Sequence, residues 1–235
     1  MLRNWFFAAC VPVLLSACDV TPVAAPGPAP GTERSSQLPS DAAARSFVSV
    51  VRSVEPVAEQ ECRERTRRVN CDFRILVDDR PNSPPNAFQT VDQNGRPIIA
   101  FTVALIEDAR NEDELAFILG HEAAHHIRGH IERAQQNAVA GAVIAGSLAV
   151  LLGGGAADVE AAQRNGAIVG ARSYSKEFEL EADALGTVIT ARAGFDPVRG
   201  AEFFARIPDP GNRFLGTHPP NAQRIETVRR TAAGL

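Results

Sequence analysis

Residues Gly120 to His130 read GHEAAHHIRGH and hold four of the chain's five histidines. Leu115, Ile118, Leu119, Ala123 and Ile127 recur at helical spacing before and through this stretch, which predicts an amphipathic helix. Asn111 is a good N-cap, and Glu114, three residues later, can reach back to it in a capping box. On such a helix His121 and His125 lie one turn apart along the axis and about 40° apart around it, so both imidazoles can reach one ion. Glu122 sits beside them, where its carboxylate can reach a water on that ion without taking a ligand position. This is the H-E-x-x-H arrangement. Neutral imidazoles suit zinc, and an open coordination position lowers the pKa of bound water to about 7. Glu122 would take the proton as that water attacks a carbonyl and pass it to the leaving amine.

His126 and His130 are also four apart, but no carboxylate follows the first of them. They are expected on the side of Leu119 and Ile127, as core histidines or as supports for the ligands.

A catalytic zinc needs a third protein ligand, and SYSKEFELEADALG lies downstream. Glu179 and Asp183 share one helical face beside Phe178, Ala182, Leu185 and Ile189. Glu179 would complete a two-His, one-Glu site. Asp183, one turn on, would hydrogen-bond a ligand imidazole and fix its tautomer. Glu181 is expected on the opposite, solvated side. Taken alone, acidic residues on a helix are as readily surface decoration.

Elsewhere, DAAARSFVSVVRSVEPVAEQE has a helical pattern, while DFRILVDD and RPIIAFTVALIED read as strands. The stretch between the strands carries turn signals throughout. Ile98 to Thr102 is the candidate edge strand for pairing with an extended substrate. AVAGAVIAGSLAVLLGGGAA, residues 138–157, has spanning length. Its small residues favour a helix packed inside the protein over a membrane segment.

The N-terminus, MLRNWFFAACVPVLLSACDV, has the pattern of a leader peptide. LSAC resembles a bacterial lipoprotein box, with Cys18 as the lipid-bearing residue; an ordinary secretory leader is the alternative. Residues 1–17 are therefore expected to be a lipoprotein signal peptide. Residues 18–40, rich in Pro, Ala, Ser and Gly, would form a flexible tether, and residues 41–235 the folded domain. Cys62 and Cys71 are expected to form a disulfide, as an oxidising compartment allows. A length of 235 residues with 45% hydrophobic and 22% charged side chains suits one domain of ordinary composition. A net charge of −4 with scattered arginines argues against a nucleic-acid partner.

NAF at Asn86 to Phe88, NEDELAFILGHEAAHHIRGH, EFELEADALG, ARAGFDP and THPPNAQRI, in this order, resemble metallopeptidase family 48, which includes HtpX-like and CAAX prenyl endopeptidases. The resemblance runs from about Asn86 to about Arg229. It implies an α+β, predominantly helical zincin-type domain with a small β-sheet. It also implies one zinc ion per chain, held by His121, His125 and Glu179, with Glu122 as the base. Lacking the several long apolar spans of the membrane enzymes, the chain is more similar to a soluble, lipid-anchored periplasmic branch. Its substrates would be proteins or peptides, with unfolded or misassembled envelope proteins as the expected class. It would meet the inner or outer membrane through its lipid anchor. A chaperone-like or scaffold lipoprotein with a covered zinc site is the alternative.

In GTHPPNAQRI, Pro219 and Pro220 suit the start of a last helix. His218 and Arg224 would then face the cleft and stabilise the oxyanion. Otherwise His218 packs the loop, or ligates the metal in a resting state, and Arg224 pairs with a carboxylate. Tyr174, the only tyrosine, is a weaker candidate.

Overall fold

The computed structural model describes residues 38–173, 175–209, 211 and 219–235. The expected leader and Cys18, most of the expected tether, Tyr174 and His218 lie outside them.

The described chain is mostly helical with one small sheet. Helix α1 (Asp41–Arg65) is followed by β1 (Arg74–Asp78), β2 (Ala87–Val91) and β3 (Pro97–Thr102). The helices α2 (Val103–Asp108), α3 (Glu112–Ile127), α4 (His130–Leu151), α5 (Ala156–Arg172) and α6 (Ser175–Arg192) come next. A short α7 (Pro197–Gly200) runs into a 3-10 turn (Ala201–Ala205), and α8 (Asn221–Ala232) ends the fold. A disulfide joins Cys62, near the end of α1, to Cys71, just before β1.

The core forms where α1, β3, α3 and α6 turn their apolar faces inward. Val50 and Val54 meet Ile99, Phe101, Leu115, Leu119, Leu185 and Ile189 there, all buried. Helix α3 begins as its cap residues require: the Asn111 side chain accepts the Glu114 N–H at 3.0 Å. The Glu114 carboxylate reaches back one residue further than a capping box demands, to the Arg110 N–H at 2.9 Å. The buried Glu114 also pairs with Arg206, from the end of the 3-10 turn.

Helix α3 stops at Ile127 because Gly129 adopts φ +64°, a left-handed conformation that glycine takes without a Cβ penalty. His126 and His130 therefore lie on two different helices, not on one face of a single helix.

The sheet order is β1-β3-β2, with β1 parallel and β2 antiparallel to β3. The expectation that Ile98 to Thr102 is an edge strand is thus corrected. Both sides of β3 are hydrogen-bonded, and its nearly continuous burial is that of a central strand. The edges are β1 and β2, and β2, which lies among turn signals in the sequence, finds its ladder on β3. The Thr102 N–H donates to the Asn86 carbonyl at 2.9 Å. By antiparallel alternation, the N–H groups of Ala87, Gln89 and Val91 then point away from β3.

A second correction concerns residues 138–157. They do not form a core helix: α4 pairs with α5 in a hairpin, and only His130 and Gly146 of α4 are buried. The face that α4 gives to α5 carries small residues, so its large aliphatic side chains point outward.

Two contacts set α6 against the rest. Buried Glu61 of α1 binds Arg192 near the end of α6. In the middle of α6, a Cβ added at Gly186 would lie 2.9 Å from the His121 backbone N, and one at Gly120 would lie 2.9 Å from the Gly186 carbonyl O. Only glycine at both positions lets α3 and α6 approach this closely.

Candidate metal centre

The crossing of α3 and α6 brings His121, His125 and Glu179 together as a group able to hold a metal ion. The Nε2 atoms of His121 and His125 are 3.0 Å apart. Glu179 Oε1 lies 3.4 Å from His125 Nε2, and Oε2 lies 3.7 Å from His121 Nε2. A tetrahedral zinc with bonds of about 2.0–2.1 Å would separate its donors by roughly 3.3–3.4 Å. Two borderline nitrogens and one hard oxygen at these separations fit such an ion, and the fit rests on the donor set alone.

Each imidazole has a partner on its other nitrogen. His121 Nδ1 donates to Asp183 Oδ1 at 3.0 Å. Asp183, fully buried, also accepts two hydrogen bonds from Arg224, Nε to Oδ2 at 2.8 Å and Nη2 to Oδ1 at 2.6 Å. Burial alone would raise the Asp183 pKa, but the bonds from Arg224 and His121 outweigh it and hold the carboxyl below its usual range. Burial likewise works against the Arg224 charge, and Asp183 and Glu179 more than offset it. The guanidinium lies 3.8 Å from the Phe204 ring centroid, and Nη1 is 3.4 Å from Glu179 Oε2. Of the two roles the sequence leaves open for Arg224, pairing with a carboxylate is the one its hydrogen bonds fill.

His125 is held by His130, which takes the supporting role that was one of its two expected places. Its Nδ1 lies 2.8 Å from Nδ1 of His130, which stacks on Phe178 at 4.6 Å between centroids. His130 Nε2 faces Glu181 Oε2 at 3.3 Å, and Arg133 binds both oxygens of Glu181, at 2.7 and 3.2 Å. Burial and the neighbouring His125 push the His130 pKa down to about 4, so its imidazole is neutral. The expectation that Glu181 is merely solvated is corrected: it anchors a chain of contacts running through His130 to His125. His126 turns away, donating from Nε2 to the Asn70 carbonyl at 2.8 Å and packing edge-on against Phe73.

These groups open onto a cleft of about 660 Å³. His121, Glu122, His125 and Glu179 line it together with Arg224, and residues 85–89, including the start of β2, form one wall. Phe117, Phe203 and Phe204 supply apolar surface. Glu122 is half-buried and lies beside the donor atoms without belonging to their cluster. With an ion held by these donors, the arrangement would polarise a carbonyl; Glu122 could accept a proton and β2 could receive an extended chain.

The family model "Peptidase family M48" matches residues 49–232. The putative beta-barrel assembly-enhancing protease of Vibrio cholerae is 33% identical over 147 residues, covering 57% of this chain and 30% of that protein. The beta-barrel assembly-enhancing protease of Escherichia coli strain K12 is 29% identical over 142 residues, 55% of this chain and 29% of the relative. The mitochondrial metalloendopeptidase OMA1 of Saccharomyces cerevisiae is 28% identical over 168 residues, 67% of this chain and 46% of the relative. The matched region spans less than half the length of each of these relatives.

Proposed function

Because the chain belongs to peptidase family M48, we propose that it is a zinc-dependent metalloendopeptidase acting on unfolded or misassembled proteins of the cell envelope. His121 and His125, through their Nε2 atoms, and Glu179, through its carboxylate, would hold the ion. When bound, the ion would supply Lewis acidity to the substrate carbonyl and make water a better nucleophile near neutral pH.

The chain's own residues do the rest. The Glu122 carboxylate takes a proton from the attacking water and returns it to the amine that leaves. Asp183 and His130 keep the two ligand imidazoles in the tautomer that presents Nε2 to the centre. Arg224 holds Asp183 in place and is a positioning residue. The outward N–H and C=O groups of β2 pair with the backbone of an extended substrate, so binding depends little on side-chain identity.

The observation that carries the reading is that three donor atoms and the Glu122 carboxylate face one cleft beside a strand edge that is unpaired among the described residues. The pattern of residues 1–17 and Cys18 supports an envelope location with a lipid anchor at Cys18, facing the periplasm. The test is cleavage of a disordered protein by wild type and Glu122→Gln at equal zinc content. A loss of several orders of magnitude in the variant is expected. Equal rates would remove the enzyme reading and leave a chaperone-like or scaffold role.

A further inference from the structure

The α4–α5 hairpin is built the wrong way round for water. Where the two helices touch, the surfaces are mostly glycine and alanine, with Gln163 against Gly146: a Cβ at Gly141 would fall 2.1 Å from the Gly166 carbonyl O, and one at Gly170 would fall 2.0 Å from the Asn137 carbonyl O. Gly166 and Gly170 form a G-x-x-x-G pair, the spacing that lets helix backbones meet in apolar surroundings. The large aliphatic residues point outward, with Ile144 69% and Leu151 82% exposed, and Val139, Val143, Leu148 and Val150 also exposed. In a hairpin that faces water, those side chains would be the ones buried between the helices.

The composition of this face says what covers it. No charged residue lies between Arg133 and Asp158, and no aromatic residue or methionine occurs there either. A protein partner is normally gripped by aromatic and arginine anchors inside a polar rim, and this face has neither. Apart from Ser147 it is aliphatic, which matches acyl chains. Helix α4 is long and apolar enough to cross a membrane by length and composition. Helix α5 is not: Glu160 and Arg164 pair with each other halfway along it, both well exposed. Such charges are costly at a bilayer centre. The hairpin therefore suits the boundary of a bilayer, with α4 toward the acyl chains and the charged flank of α5 toward water.

We infer that the outward face of α4, from Val139 to the Leu151–Leu152 tip, docks into the acyl-chain region of a phospholipid surface. The docking does not depend on the peptidase reading, but it has a consequence for it. His130, Ile131 and Ala134, at the base of α4, line the cleft. At 1.5 Å rise per residue, Ala134 and Leu151 are about 25 Å apart along the helix. The cleft then opens within about that distance of the lipid, where proteins emerging from or entering a membrane would meet it.

The test places a reporter on the face itself, so that attachment through another part of the chain does not register. The sequence contains one tryptophan, Trp5. Its emission is subtracted from that of Leu151→Trp, and neutral phosphatidylcholine vesicles brominated in the acyl chains are added. The indole introduced by Leu151→Trp should shift to the blue and lose about half its emission, as burial at the acyl boundary requires. Ile144→Trp should behave alike, and Glu160→Trp, on the polar flank, should do neither. Both sites on α4 are exposed, so the fold tolerates the change, which circular dichroism verifies. Quenching no greater at Leu151→Trp and Ile144→Trp than at Glu160→Trp would overturn the inference. So would a blue shift that grows with protein concentration in the absence of vesicles, which would assign the face to a second copy of the chain.

Discussion

The Nδ1 atoms of His125 and His130 lie 2.8 Å apart across the turn at Gly129. With His125 presenting Nε2 to the centre, its proton sits on Nδ1 and is donated to His130, whose own proton then lies on Nε2 toward Glu181. Each imidazole fixes the tautomer of the next, and Arg133 holds the far end. His130→Ala removes this support while leaving every proposed ligand in place. Metal affinity, measured by competition with a chelator, should fall about 10- to 100-fold. Unchanged affinity in a folded variant would show that His130 only packs.

Asp183 and Arg224 form a buried ion pair, and breaking one side should cost more than losing both. Arg224→Met strands a carboxylate that is fully buried, a change worth about 3–5 kcal/mol of stability. The double variant Arg224→Met with Asp183→Leu should recover much of that loss in urea denaturation. It should bind zinc more weakly than Arg224→Met does, because only the double variant removes the acceptor of His121. Equal zinc affinity in the two variants would mean that Asp183 does not orient His121.

Gly186→Ala tests the helix crossing. The added methyl meets the His121 backbone N at 2.9 Å, so α3 and α6 must separate or tilt. Overpacking of this kind costs about 1–3 kcal/mol. It should also pull Glu179 away from the two imidazoles, so melting temperature and zinc stoichiometry should fall together. A lower melting temperature with unaltered zinc binding would count against the crossing as the source of the geometry.

Gln89→Pro probes the strand edge. The Gln89 N–H points away from β3, so proline there removes no ladder bond and is tolerated as it is on other edge strands. Cleavage of a long disordered substrate should show a raised KM with the melting temperature unchanged. An unaltered KM would place the substrate elsewhere in the cleft.

The parts of the site that were legible in advance are those governed by one helix at a time. A spacing of four residues puts His121 beside His125 and Glu179 beside Asp183 whatever the rest of the chain does, because helical periodicity is local. The cap at Asn111 and the apolar face of α3 follow for the same reason. Glu181 was misplaced because its partners, His130 and Arg133, belong to a helix that starts only after the break at Gly129. No spacing within α6 could reveal them.

The sequence by itself determined that α3 would carry two imidazoles and a carboxylate on neighbouring positions, and that α6 would offer Glu179 and Asp183 on one face. Only the tertiary structure decided that these faces meet, through paired glycines that bring two backbones into contact. It also decided that β3 lies at the centre of the sheet and β2 at its edge, since strand pairing joins residues distant in sequence and a ladder is not encoded in either strand alone. The outward aliphatic face of α4 was decided in the same way: length and composition suit a buried helix and a lipid-facing one equally, and only the tight approach of α5 showed which side was left over.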